Sequence, residues 1–241
     1  MNPGERILEL LRRCHTDQNV PEAVYSSIDN TGRYAYGNQP RIAQWNLARL
    51  AETLLPLLAE DKDAAVKEAQ DAIDAFAIGF ESAYAAGLSR KLGLFQPRPG
   101  DLSLAQDLLE RMARNRADFT LTFCRLCDAA ASPDADADVR SLFTDPSSFD
   151  DWAVRWRHRL AEEGGEANQR RTAMRAVNPA FIPRNHLVEE AISAAVNDEY
   201  FAPFESLLTA LSMPYEDQPA FSCYVDPPRP DQVVHQTFCG T

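Results

Sequence analysis

Residues 61–87, DKDAAVKEAQDAIDAFAIGFESAYAAG, decide the fold class of this chain. Val66, Ala69, Ile73, Phe76, Phe80 and Tyr84 recur at three- and four-residue steps, which places them on one stripe of an α-helix. Asp61 or Asp63 offers a carboxylate to the first free N–H groups, and Gly87 is the expected stop. The pattern is too long and too regular for a strand, and it repeats on both sides.

Upstream, Asn38 caps a helix with Pro40 in its first turn, where a missing N–H costs nothing. Leu47, Leu50, Leu54 and Leu58 give that helix a face expected to be buried, and Pro56 kinks or ends it. Residues 4–14 read as a short amphipathic helix through Ile7, Leu8, Leu10, Leu11 and Cys14. Between Pro21 and Gln39 the chain is irregular: Asp29-Asn30-Thr31-Gly32 is a turn, and Arg33-Tyr34-Ala35-Tyr36 is the one passage resembling a strand. Downstream, Gln96–Gly100 breaks the chain, and a third long helix is expected from about Asp101 to Ala130, with Leu104, Leu108, Met112, Phe119 and Phe123 inward. Residues 129–138 are small and acidic and read as a solvated loop. Asp145-Pro146 opens a helix with Phe149, Trp152, Trp156 and Leu160 inward, closed by Gly164-Gly165. Later helices fall at about 167–177, 184–196 and 201–211. Prolines from Met213 onward forbid regular helix, so the tail is expected to be extended. The reading is all-α, organised as 1–24, 25–212 and a tail at 213–241.

Composition agrees. The chain has 241 residues but only 10 glycines, and it is visibly rich in alanine and leucine; such a balance favours helix over a turn-dense β fold. Lys and Arg number 24 against 36 Asp and Glu, a net charge of −12, which argues against a general nucleic-acid binder. No apolar run approaches the roughly 18 residues of a membrane span, and residues 1–15 lack the pattern of a signal peptide. The cysteines number 5, an odd and dilute set, which points to a reducing compartment. The expectation is a cytoplasmic protein without nucleic-acid or membrane partners.

Motifs of chemistry are sparse. Cys124 and Cys127 form a C-x-x-C pair without a second Cys/His pair at metal spacing, so buried thiols are the expectation. Arg155, Arg157, His158, Arg159, Arg170, Arg171 and Arg175 alternate with Glu162, Glu163 and Glu166 and read as a solvated helix face rather than a phosphate surface. His186 and Glu189 lie one turn apart without an H-E-x-x-H frame. Glycine-rich nucleotide loops are missing, and Asp118-Phe119-Thr120, a near miss for the kinase Asp-Phe-Gly triplet, is expected in mid-helix. No catalytic, cofactor-binding or metal-binding residue follows. Two segments stand out: the amide- and aromatic-rich run Tyr34–Leu47, and the end Phe238-Cys239-Gly240-Thr241, whose Cys239 is the most available thiol.

Those segments resemble the selenoprotein O family. Ser26-Ser27-Ile28-Asp29, Gly32–Pro40 and Trp45–Leu50 look like its central motif, Val177-Asn178-Pro179 with Pro183-Arg184-Asn185 like a second, and Phe238–Thr241 like the bacterial ending. The match runs from about Tyr25 to Thr241. The resemblance implies a kinase-like fold that transfers AMP from ATP, with magnesium, to hydroxyl side chains of proteins. The family's catalytic lysine, clamping arginines and metal ligands lie in its first half, ahead of the matched region, so none is carried over. This chain is expected to be the helical C-terminal part, inactive alone. A separate polypeptide bearing the kinase-like half is the implied partner; a non-catalytic helical binding module is the alternative. The resemblance further implies that Asn38, Gln39, Arg41, Trp45 and Asn46 brace a catalytic loop from behind, and that Cys239 stands where relatives carry selenocysteine or a redox thiol. Tyr25 falls where certain bacterial relatives have a partnering cysteine.

Overall fold

The computed structural model describes Val24 and residues 28–234. These form two compact units, the first comprising Val24 and 28–86, the second 87–234. Among the described residues every regular element is helical, and no helix is long and apolar enough to cross a membrane. The amphipathic segment at 4–14 and the ending with Cys239 lie outside the described residues.

In the first unit, Arg33–Tyr36 is not a strand. The Asp29 carboxylate accepts the backbone N–H of Arg33 at 3.0 Å and of Tyr34 at 2.7 Å, while Gly32 takes a positive φ of 67°. This gathers the chain into a turn, which runs through a short 3-10 helix, Tyr36–Asn38, into α1, Gln39–Leu58. Pro40 sits in the first turn and Pro56 inside the last, two residues before the end. The leucine face of α1 is a correction. Leu50 and Leu54 are exposed, Leu47 and Leu58 half-buried, and only Ile42 is buried. Periodicity reports an apolar stripe, not what covers it.

Helix α2 spans Lys62–Lys91. Asp61 caps it, its carboxylate accepting the Ala64 N–H at 2.8 Å. Along its stripe the Phe76 ring lies tilted 6.1 Å from Phe80, which stacks on Tyr84 at 6.0 Å. Gly87 does not stop it: that residue stays helical, and the stop is Gly93 at φ 72°. The N–H of Leu94 reaches back to Ser89 and that of Gly93 to Arg90, the two-bond closure that a left-handed residue after a helix permits.

The second unit is built from the end of α2 and seven further helices: α3 (Asp101–Asn115), α4 (Phe119–Ala131), α5 (Asp136–Arg140), α6 (Pro146–Glu163), α7 (Ala167–Arg175), α8 (Asn185–Asp198) and α9 (Ala202–Ser212). The expected single helix over 101–130 is therefore two. Arg116 adopts φ 52°, and the Asp118 carboxylate accepts the Leu121 N–H at 2.7 Å, which makes Asp118 an N-cap rather than a mid-helix residue. The acidic stretch after α4 is likewise not plain loop: Ser132 caps a turn at Pro133–Ala135, and α5 follows.

Helix α6 supplies the core as its spacing predicts. Phe149, Trp152 and Trp156 are fully buried, the two indoles stacked 5.3 Å apart. Each indole N–H finds a carbonyl at 2.9 Å, Trp152 that of Leu104 and Trp156 that of Leu92, so neither buried donor is wasted. Asp145 caps α6 and Gly164 closes it. Helix α3 packs on α6, α4 on α7, and α8 on α9. The tail after Met213 is not wholly extended. It carries 3-10 turns at Pro219–Tyr224 and Pro230–Gln232, and Phe221, Tyr224 and Val225 pack on a cluster of Cys124, Ala180, Phe181 and Ala210.

Candidate functional site

In the first unit, two of the five residues expected to brace a loop hold backbone. The Asn38 side-chain amide donates to the Gly32 carbonyl at 2.9 Å, and that of Gln39 donates to the Tyr34 carbonyl. Asn38 thus spends its side chain on the preceding turn and leaves the N-terminus of α1 without a side-chain cap. The three others lie on the open surface: Arg41, Trp45 and Asn46 are exposed. Trp45 is flanked by cations, the Arg33 guanidinium 4.5 Å and the Arg49 guanidinium 5.6 Å from its ring, contacts that hold an exposed indole in place. The Asp29 carboxyl is held below its usual range, chiefly by the Tyr34 N–H.

In the second unit, the motif residues Asn178 and Arg184 are buried despite being polar. Asn178 donates to the Lys91 carbonyl at 3.0 Å and to the Cys127 sulfur at 3.5 Å, while its own oxygen accepts the Lys91 ammonium at 3.1 Å. That ammonium also donates to the Val177 carbonyl at 3.2 Å and lies over the rings of Phe119 and Phe123. One asparagine therefore joins the last turn of α2, helix α4 and the loop after α7. Arg184 donates to the Asp118 carboxylate at 2.8 and 3.3 Å, tying the start of α8 to the start of α4.

Cys124 and Cys127 are buried thiols, as expected. Burial pushes the Cys124 thiol up even though the Arg175 guanidinium beside it, 3.2 Å away, pulls the other way. Cys127 is pushed up by burial to about 12, and its S–H donates to the Phe123 carbonyl at 3.2 Å. Neither is a thiolate nucleophile at neutral pH.

The arginine cluster is a further correction. Arg159 is buried and pairs with Asp101 at 2.7 Å and Glu163 at 3.1 Å. Burial opposes charge on Asp101, yet the Arg159 guanidinium and the Arg98 N–H outweigh it and hold its carboxyl below the usual range. Arg155 pairs with Asp107, Arg157 with Asp136, and Arg171 and Arg175 both with Asp128 at 2.6 Å. Arg170 donates to the carbonyls of Gly93, Leu160 and Gly164, and Arg157 to that of Ala129. These guanidiniums tie helices together, and of the seven only Arg155, Arg171 and His158 are exposed as a solvated face requires. The partners are spread over three earlier elements: Asp101 and Asp107 of α3, Asp128 of α4 and Asp136 of α5 receive Arg155, Arg157, Arg159, Arg171 and Arg175.

Among the described residues no three His, Cys, Asp or Glu side chains gather where they could hold a metal ion, His186 and Glu189 included.

Residues 16–212 match the family described as protein adenylyltransferase SelO. The chain belongs to the SelO family. Proteins named protein nucleotidyltransferase YdiU are 62% identical over 225 residues in Bradyrhizobium diazoefficiens, 59% over 231 in Methylorubrum extorquens and 56% over 221 in Rhodopseudomonas palustris. These alignments cover 92–93% of this chain but only 45–46% of each relative, so the chain spans about half the length of the SelO proteins it matches. Asn178 and Arg184 fall inside the matched region, whereas Cys239 lies beyond the residues matched by the SelO model.

Proposed function

We propose that this chain is the helical C-terminal part of a SelO-type protein adenylyltransferase, contributing to AMP transfer from ATP to protein hydroxyls only together with a kinase-like N-terminal half. The observation that carries this reading is the alignment itself: 93% of the chain matches a relative at 62% identity while 46% of that relative is covered. The chemistry supports it. Nucleotidyl transfer needs cations positioned around phosphates, and Arg155, Arg157, Arg159, Arg171 and Arg175 are already engaged by carboxylates of the same unit. In this reading ATP and magnesium are bound by the other half, and the Asp29–Asn46 segment supports the site without touching the reacting atoms.

The test is incorporation of labelled AMP into protein in the presence of magnesium. The isolated chain is expected to give none, and labelling is expected to appear when a polypeptide carrying the N-terminal half of a SelO protein is added. Magnesium-dependent labelling by the isolated chain overturns the reading. Failure of the two polypeptides to associate or to label favours a stand-alone binding module instead.

A further inference from the structure

Helices α8 and α9 pack on each other as a hairpin, with Ala191 and Leu207 buried, while Ala210 of α9 joins the cluster of Cys124, Ala180 and Phe181. Between them the two helices leave an apolar groove whose lining includes Ala191 and Leu207. Val188, Ile192, Phe201, Phe204 and Leu208 also line this open groove of about 420 Å³, with Ile192 50% and Leu208 59% exposed. A contiguous exposed apolar groove marks a place of association.

The two helices that line the groove carry acids and no Lys or Arg. From Asn185 to Pro228 the sequence has no Lys or Arg against eight Asp or Glu. Glu189 follows Val188 and Glu205 follows Phe204, so each stands roughly 100° around its helix from a lining residue; Asp198 and Glu199 stand at the turn of the hairpin. All four are exposed, and among the described residues none of them makes an ion pair. By contrast Asp101, Asp107, Asp128 and Asp136 of the same unit are each paired with arginine. An unneutralised acidic rim around carbon repels anionic lipid headgroups and nucleic acid, and a second copy of the groove would set acid against acid.

We propose that the α8–α9 groove binds a basic amphipathic helix, whose apolar stripe enters between Ile192 and Leu208 while its Lys or Arg flanks meet Glu189, Glu205, Asp198 and Glu199. This is recognition of a helix in a groove, with contacts at helical spacing giving affinity and the rim giving selectivity.

The experiment uses the full chain and a fluorescein-labelled 14-residue helical peptide with leucines on one face and lysines elsewhere, followed by anisotropy; the control peptide has glutamate for lysine. The lysine peptide is expected to bind at least tenfold more tightly than the glutamate peptide. Ile192→Asp with Leu208→Asp, both at exposed positions, is expected to weaken it at least tenfold with an unchanged far-UV circular dichroism spectrum. Glu189→Lys with Glu205→Lys, on the exposed rim, is expected to shift preference to the glutamate peptide, and this variant decides the matter even if the first misfolds. Equal binding of the two peptides, or binding indifferent to both sets of substitutions, overturns the proposal. So does self-association of the chain abolished by Ile192→Asp, because the occupant would then be a second copy. Peptide binding requires neither ATP nor a catalytic half, so its failure leaves the AMP-transfer reading untouched.

Discussion

The Arg184 guanidinium and the Asp118 carboxylate meet at 2.8 Å with both side chains buried. Asp118 serves two masters there, accepting the Leu121 N–H that starts α4 as well as the arginine that precedes α8. Removing Arg184 strands a carboxylate in the core, and breaking a buried pair from one side costs about 3–5 kcal/mol. Arg184→Met is therefore expected to lower stability by that order, and Asp118→Asn with Arg184→Met by less than the sum of the single changes. Urea unfolding in a Trp45→Phe background checks this, since emission then comes from Trp152 and Trp156 of the same unit. Additive effects would mean the two residues do not act as a pair.

Gly93 separates two costs that usually come together. It holds φ 72°, and an added Cβ would lie 2.7 Å from the Met174 sulfur; Gly100 holds φ 96° with nothing within 4 Å. Gly100→Ala should show the backbone cost alone, about 1 kcal/mol, while Gly93→Ala should exceed it by a further ~1–3 kcal/mol of overpacking. Thermal melts of the two variants give the comparison, and equal losses would show that Met174 yields freely.

The buried thiols set an alkaline limit. The folded pKa of Cys127 is about 12 against an ordinary value near 9, so the unfolded chain releases this proton first. The stability it contributes is complete below pH 9 and falls between pH 9 and about 12, by roughly 1.4 kcal/mol per pH unit once the unfolded thiol is ionised. Cys124, also raised, adds in the same direction. Stability measured from pH 8 to 10.5 should decline less steeply in Cys127→Ala than in the parent. At pH 8 iodoacetamide should modify exposed Cys223 ahead of Cys124 and Cys127, with the buried pair reacting only in denaturant; mass spectrometry reads the order.

Asp101 governs the acid side. Its carboxyl is held below 3.8 by Arg159 and the Arg98 N–H against the opposing effect of burial. Its contribution is therefore present above pH 3.8 and is lost as pH falls through the lower folded value. Arg159→Met should destabilise the protein at pH 7 by about 2–4 kcal/mol and flatten the dependence on pH below 4. A variant whose acid profile matches the parent would show that Asp101 does not depend on Arg159.

Much of this could be read from the sequence for a physical reason. Helix α6 announces itself because Asp145-Pro146, the Phe149–Leu160 stripe and Gly164-Gly165 are local signals that agree with one another. The break at Arg116–Asp118 was hidden because the apolar stripe runs through it, Met112 and Phe119 both being buried; a left-handed arginine has no sequence mark. Gly87 misled because glycine tolerates a helix interior when a better-placed glycine follows. The arginine cluster misled most. Charge patterning looks along one helix, whereas Arg157 reaches Asp136 and Arg171 reaches Asp128 across sequence gaps that no spacing rule spans. Asn38 and Gln39 were legible as backbone ties, since a dense run of amides beside a turn has few other uses; the exposure of Trp45 was not.

The guanidinium groups of the second unit have a consequence for how far it can be cut down. Carbonyls at the ends of α2, α4 and α6 rest on arginines supplied by later helices: Gly93 and Gly164 on Arg170, Ala129 on Arg157. Backbone closure at these ends is thus supplemented by side chains from elsewhere in the unit. Excising α7 would unseat the ends of α2 and α6 together, so trimming from either side should dissolve the whole rather than leave a smaller fold. Its modularity stops at the unit, and homologous grafts into it succeed only when the donor arginines travel together with the helix ends whose carbonyls accept from them.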